Sequence, residues 1–470
     1  MSDRPQQQGW LPRLLGALVR LPVVTVVAAA VVVRLLAGVA FTAADTDVYE
    51  FGWLAENIVD GHGYAYFTDT PHGRVEPTRP DSTDRLASAF MPPGYTYLTA
   101  AGAAVGGSHD GTVWAVRALN ALLAAAGMVL IDSLARRLVG RPAARLAAVG
   151  FAFYPSLVYA ATQVSAANLY LPLEMGLLLL LIRAGRVPSW RRWAEAGLLL
   201  GALCLVRAEA VAVVPLATAW LLWTASRAGV NRQVGLRLGA VFVAVAAALP
   251  GAWLVRNSLV LGEPVATITT TGGLNLWYGN HDGATGSQKD IAVPEGLRGE
   301  ISRIDAGDAF ELRRDEVFRR EAFESMARDP IGTAWRDVKK AGLLLGADVN
   351  DRRNLNPFYL GSYAVLAALG VAGFVQWWRR RDPGDTVRWL VAGYLAFSVV
   401  VPVVFFALAR YRLPIELLLL VFAGAWLSRR VPGVAKAPRA GVAAVPERVE
   451  AVDNLGRMVA VPQTGSEDPR

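Results

Sequence analysis

The sequence predicts an all-α protein that crosses a membrane many times, and three observations carry that prediction. The chain has 470 residues, 54% of them hydrophobic, and a mean hydropathy of +0.34, more apolar than a soluble domain of this size. Stretches of about 16 to 23 apolar residues recur along it, the length at which a helix spans a bilayer. Short arginine-rich links separate the stretches, as the positive-inside rule leads one to expect. The formal charge of +8 is therefore loop arginine facing headgroups. Nucleic acid is excluded as a partner, and the lipid bilayer is implied as one.

In chain order, residues 1–20 are expected to be a cytoplasmic N-terminus, with Arg13 and Arg20 ahead of a first span at 21–43. That span is long and others follow it, so it reads as an uncleaved signal anchor. Residues 44–111 form an outer loop. Segment 90–106 is apolar enough to pass for a span, but the next span, 112–134, ends in Arg136, Arg137, Arg141 and Arg145 and so runs inward. Segment 90–106 then lies outside as an interfacial helix, opened by Pro92 and Pro93.

Spans follow at 143–162 and 166–183, then a basic link with Arg183, Arg186, Arg191 and Arg192. Two short spans within 194–225 turn outside at Arg207-Ala208-Glu209. After Arg227, Arg232 and Arg237, a span at 236–255 runs outward. Residues 256–356 form a polar outer lobe with a Gly-rich loop, Gly272 to Gly286, and an amphipathic stretch at 307–328. The last spans are 357–378, 387–405 and 413–428, with Arg379, Arg380 and Arg381 on the inner side. This gives about ten spans, both termini inside, and one transmembrane domain over 21–428. Residues 429–470 are Pro-, Arg- and Ala-rich and are expected to be a disordered cytoplasmic tail. The run Ala-Gly-Leu-Leu-Leu-Gly-Ala, at 196 and again at 341, is read as coincidence. No internal repeat of the transporter kind is present.

Several residue types have a chemistry to account for. Cys204, the one cysteine, lies in an apolar run and is a packing residue. His62, His72, His109 and His281 fall in outer loops with no metal-ligand spacing, so no cofactor is assigned. Asp45 and Asp47 stand just past the first span. An Asp-x-Asp pair can hold a divalent metal on a diphosphate, can cap the helix at Val48 to Ile58, or can act as a general base beside the bilayer. Arg34 lies within the first span, where it must snorkel, pair with an acid or meet an anion. Arg207 and Glu209 would pair at their turn. Arg410 and Arg412 flank Tyr411 on the outer side of the final hairpin, against the positive-inside trend. They either anchor at the interface or bind an anion such as a lipid-linked phosphate, which guanidinium grips with two hydrogen bonds. The run Gly272 to Asn280 is rich in Asn, Trp and Tyr, common sugar contacts, and Lys339 and Lys340 would anchor the lobe to headgroups.

In order and location these residues resemble the GT-C superfamily of membrane glycosyltransferases, nearest to its bacterial protein O-mannosyltransferase-like and Rgt-like branch. The resemblance covers roughly residues 21–428. It rests on Asp45, Tyr49, Gly61-His62-Gly63-Tyr64 and Pro92-Pro93-Gly94-Tyr95 in the first loop. Arg117, Arg207-x-Glu209, Arg256-Asn257, Gly272-Gly273-x-Asn275-Leu276, Lys340 and Arg410-Tyr411-Arg412-Leu413-Pro414 continue it. It implies a multi-pass protein of a bacterial cell (inner) membrane with its active site on the extracytoplasmic side. The implied reaction is an inverting transfer of a sugar from a polyprenyl-phosphate donor to a hydroxyl of a glycan, lipid or protein. Asp45, with Tyr49 four residues on as in relatives, would be the base, and Asp47 the alternative. Arg410, Arg412, Arg34, Lys340 and Arg256 would bind the donor phosphate, and Tyr49, His62, Tyr95, Asn275 and Tyr411 the substrates. A glycan polymerase or ligase acting on polyprenyl-linked sugars, and a lipid or glycan transporter, are the alternatives.

Overall fold

The structure is a computed structural model and describes residues 10–42, 46–66, 86–287, 293–304, 309–349 and 355–431. An amphipathic helix, α1 (Trp10–Arg20), precedes α2 (Val23–Ala40), and Pro22 separates them. α3 (Tyr49–Val59) leads to a two-residue antiparallel pair, β1 (Ala65–Tyr66) with β2 (Leu86–Ala87), and then to α4 (Pro93–Gly106). α5 (His109–Val139), α6 (Arg141–Phe153), α7 (Pro155–Thr162), α8 (Ala167–Arg186) and α9 (Trp190–Cys204) follow. A 3-10 turn, Ala208–Ala212, runs into α10 (Val213–Arg227), and α11 (Arg232–Val260) ends the first half. The lobe holds α12 (Gly272–Asn280), α13 (Glu295–Ile301), α14 (Phe310–Arg328) and α15 (Pro330–Leu345). α16 (Pro357–Arg380), α17 (Thr386–Val404), a 3-10 turn at Ala409–Arg412 and α18 (Leu413–Ser428) complete the chain.

Local chemistry sets many of these starts. Pro occupies the first turn of α4, α6, α7, α15, α16 and α18, where its missing N–H costs nothing. Ser108, Asn231, Asp329, Asn356 and Asp385 each accept a backbone N–H at the start of the helix they precede.

Among the described residues eight helices are long and apolar enough to cross a membrane: α2, α5, α8, α10 and α18 with their leading 3-10 turns, α11, α16 and α17. α6 and α7 make a ninth if the pair, bent by 47°, counts as one. The chain is an all-α, multi-pass membrane protein. α9, with 15 residues, is shorter than the eight and returns the chain from the basic Arg186–Arg192 link to Arg207, where α10 sets out. It lies against α11. A Cβ on Gly197 would stand 2.6 Å from the Phe242 carbonyl oxygen, and one on Gly201 2.7 Å from that of Ala246. The Gly-x-x-x-Gly run at 197 is therefore a backbone-to-backbone packing seam. Its twin at 342 is not, since a Cβ on Gly342 meets nothing within 4 Å.

The break between α6 and α7 has a direct cause. The Phe151 carbonyl would take its helical bond from residue 155, which is a proline without an N–H. Arg34 of α2 supplies the donor instead, at 3.0 Å to Phe151 O and 3.1 Å to Ala152 O. α18 lies at the centre, buried along almost its whole length between α16 and α6.

α5 serves as a ruler for the bundle. Near its start Arg117 reaches the ends of α2 and α7; near its end the Leu138 carbonyl accepts from Trp377 and Arg381 at the end of α16. Arg137 lies beside Arg183 and Arg186 of α8. The basic links thus gather at one end. The two ends are about 30 Å apart at 1.5 Å per helical residue, close to the thickness of a bilayer's hydrocarbon core.

At the Arg117 end sits the lobe. The run Gly272 to Asn280 was expected to be part of a turn-rich loop and is helix α12. The Asp315 carboxylate of α14 accepts N–H bonds from Gly273 and Leu274 at its first turn, where a helix leaves donors unpaired. Burial pushes the Asp315 carboxyl above its ordinary value against those bonds. The buried Glu311 carboxylate joins three segments, accepting from Ser88 Oγ (2.7 Å), Ala89 N (2.9 Å) and Thr270 Oγ1 (3.0 Å). Residues 67–85 of the first loop and the tail past Val431 lie outside the described residues.

Candidate active site

Asp45 lies outside the described residues; Thr46 and Asp47 are within them. Arg117 positions this segment. Its guanidinium donates to Gly38 O and Phe41 O at the end of α2 (both 2.9 Å), to Thr162 O at the end of α7 (3.0 Å) and to the Thr46 hydroxyl (2.7 Å). Helix C-termini concentrate negative potential and free carbonyls, so one buried cation satisfies two of them and ties the acidic segment to both. Asp47 is exposed. The N-cap residue of α3 is Val48, whose side chain makes no cap bond. Tyr49 opens α3, and Glu50 follows in its first turn.

Arg410 stands close enough to Glu50 and to Tyr170 of α8 to feel both electrostatically. It is exposed, hydrogen-bonded to the Tyr411 side chain with its guanidinium 5.5 Å from that ring, and it forms no ion pair among the described residues. Beneath it is a buried polar network. Arg207 bonds Glu174 of α8 at 3.1 Å and Glu209 at 2.5 Å, and its guanidinium lies 4.6 Å from the Tyr170 ring centre. The Tyr394 hydroxyl of α17 donates to the other Glu174 oxygen at 2.7 Å. The expected Arg207–Glu209 pair is present, extended by two partners that the sequence reading did not single out.

The other cations named from sequence are engaged inside the protein. Arg34 is buried on the α6 carbonyls and on Ala30 O. Arg412 is buried, 2.5 Å from Glu416, bonded to Gly346 O at 2.9 Å and stacked 3.6 Å over the Tyr363 ring. Arg256 donates to Ser88 O, Tyr64 O and Asn257 Oδ1 and lies over the Tyr64 and Trp253 rings, so it ties α11 to the first loop. Lys340 is wholly buried and spends all three ammonium protons, on Asn280 Oδ1 (2.8 Å), Val403 O (2.9 Å) and Asp337 Oδ1 (3.0 Å). Burial pulls its ammonium below the ordinary lysine value, with Asp337 opposing. In this structure these four hold helix ends and lobe together.

The named substrate residues divide in the same way. Tyr95 is fully buried, its hydroxyl donating to Asn120 Oδ1 (3.3 Å) and accepting from Ser165 N (3.0 Å). The Phe51 ring of α3 meets it edge-on at 5.2 Å. Tyr95 thus supports α3 from beneath. Asn275 is half-buried in α12, and His62 is exposed past the end of α3. Tyr411 is half-buried against Phe406, 5.6 Å away. Among the described residues no three His, Cys, Asp or Glu side chains converge as metal ligands.

Residues missed from sequence were mostly acids, two of them inside apolar runs. Glu174 and Glu416 stand alone among leucines, and an ionisable residue within a span signals a buried partner. That signal was available. Glu311 and Asp315, on a polar amphipathic helix, gave none.

Comparison with known proteins bears on part of this arrangement. Residues 91–253 match the family model of dolichyl-phosphate-mannose-protein mannosyltransferase, roughly a third of the chain. The match supports the GT-C resemblance read from the motifs. It takes in Tyr95, Arg117, Glu174 and Arg207, whereas Asp47 and Arg410 fall outside it. No curated protein matches the chain. Among solved structures, an oligosaccharyltransferase from Archaeoglobus fulgidus, in complex with Zn and sulfate, matches with a TM-score of 0.46 and 15% identity over 87% of this chain. The chain spans 50% of that protein's length. ArnT from Cupriavidus metallidurans, bound to undecaprenyl phosphate, matches with a TM-score of 0.36 and 15% identity, over 87% of this chain and 77% of that one.

Proposed function

We propose that the chain is a membrane glycosyltransferase that moves a sugar from a polyprenyl-phosphate donor to an acceptor hydroxyl on the extracytoplasmic face. One observation carries the reading: Arg410 is exposed at the bundle mouth beside α3, the helix entered through Asp47, with the neighbouring Tyr411 side chain as its partner, while the other candidate cations are buried or tied to several groups of the protein. An exposed guanidinium near a carboxylate-bearing segment suits a reaction that needs an anion held and a proton removed. The match of residues 91–253 supports the same donor class.

In this mechanism Asp45 or Asp47 accepts the proton of the acceptor hydroxyl. The oxygen attacks the anomeric carbon from the face opposite the phosphate, the bond from that carbon to the phosphate oxygen breaks, and configuration inverts. Arg410 receives the charge that develops on the leaving polyprenyl phosphate. Arg117 holds the base segment through Thr46, and the Arg207–Glu174–Tyr394 network supports Tyr170 beneath Arg410.

The test is transfer from a synthetic polyprenyl-phosphate sugar by purified Asp45→Asn and Asp47→Asn proteins. Loss of the base lowers turnover by roughly a hundredfold or more, with donor affinity retained. One of the two variants is expected to show this. Full activity in both, and in the double variant, would overturn the reading.

A further inference from the structure

α15 is built inside out. Its outward face is apolar: Ile331 is 83% exposed, Trp335 59%, Val338 60% and Leu345 45%, with Ala334 and Gly342 between them. Its inward face carries Thr333 and Lys340, both buried, with Leu344. A helix of a soluble lobe shows the reverse, polar outward and apolar inward. The pattern requires an apolar neighbour on the outward side, since monomers rarely expose a contiguous stripe of this kind to water.

The surroundings say which neighbour. Lys340 bonds Val403 O at the end of α17 (2.9 Å). The Tyr363 hydroxyl, near the start of α16, donates to Leu345 O (2.7 Å). Arg412, at the entry to α18, donates to Gly346 O (2.9 Å). α15 is therefore pinned at the level where three membrane-length helices begin or end. It is not itself a span: it has 16 residues and carries Arg336, Asp337, Lys339 and Lys340. At the margin of the stripe Lys339 is exposed, its ammonium 5.9 Å from the Trp335 ring centre. Trp beside Lys is the composition of a headgroup boundary, where the ring sits among acyl ends and the ammonium reaches phosphate.

We infer that α15 lies in the plane of the bilayer, its Ile331–Trp335–Val338–Leu345 stripe immersed at the headgroup–acyl boundary of the leaflet that faces the lobe. The lobe is thereby docked on lipid, and through Gly346 and Lys340 its depth is coupled to the Ala409–Arg412 turn and the end of α17.

The experiment places a fluorescent thiol label at Val338→Cys in the full-length protein, reconstituted into phosphatidylcholine–phosphatidylglycerol vesicles. The only native thiol, Cys204, is buried. A label at Glu324→Cys, on the exposed face of α14, is the reference. Nitroxide-bearing lipid is expected to remove most of the emission at 338 and iodide little of it, with the order reversed at 324. Iodide quenching at 338 as strong as at 324 would overturn the inference. So would a label at 338 shielded from both quenchers, or inter-chain disulfides at 338 that rise with protein concentration, because either assigns the face to another chain.

Discussion

Replacing Arg410 by alanine removes an exposed side chain whose partner is the half-buried Tyr411, over whose ring it lies, so no fully buried group is stranded. Such surface changes cost within about 0.5 kcal/mol of stability. If its guanidinium grips a donor phosphate, the loss falls on catalysis instead. A hydrogen bond to a charged group contributes about 1.5–3 kcal/mol, and at the upper figure kcat/KM falls roughly a hundredfold. Arg410→Lys keeps the charge without the two-pronged geometry and should lie between. Arg412→Ala provides the contrast. It strands the buried Glu416 carboxylate and frees Gly346 O, and breaking a buried pair costs about 3–5 kcal/mol. The assay is sugar transfer with donor concentration varied, paired with thermal melting in detergent. Arg410→Ala should melt like the parent and transfer poorly; Arg412→Ala should melt early. The reasoning fails if Arg410→Ala leaves donor KM and turnover unchanged. It fails equally if Arg412→Ala melts normally while losing donor affinity alone.

Two further outcomes are expected. A cysteine at Asp60, exposed just past α3, should react with an impermeant thiol reagent in intact cells, and one at Arg141, in the basic end, should not; labelling at 141 would invert the orientation. Gly279→Ala should destabilise the lobe by about 1–3 kcal/mol or more, as overpacking does, because its Cβ would stand 1.6 Å from the Phe405 carbonyl oxygen. Gly272→Ala, whose Cβ meets nothing within 4 Å, should leave melting unchanged or slightly raised.

Most of the bundle was legible because hydrocarbon imposes a strong rule: every spanning backbone must bond internally, so spans are long apolar helices. The rule weakens where a helix is covered by protein. α9 has only 15 residues and packs Gly197 and Gly201 on the backbone of α11, so its length alone would not mark it as a span. The run at 272 was misread for a related reason. Glycine marks turns when backbone faces water, but Gly273 and Gly279 let a helix press onto the backbone of Asp315 and Phe405. Sequence shows the missing side chain and not the neighbour that fills its place.

The cations make the same point about the site. From sequence, Arg34, Arg256, Lys340, Arg410 and Arg412 are equivalent: basic residues in or beyond apolar segments. What separates them is whether a partner distant in sequence comes within reach. Arg34 meets Phe151 and Ala152, Lys340 meets Asn280 and Val403, and Arg412 meets Gly346. Several of these partners are backbone carbonyls, which every residue carries and no motif records. Carbonyls become available where helices end or break, as at Pro155 and past Val403, so interrupted helices are where buried cations are most readily absorbed. Arg410, exposed beside such ends with only the adjacent Tyr411 side chain as partner, keeps a face toward solvent. That is the physical reason to assign it a ligand from outside the chain.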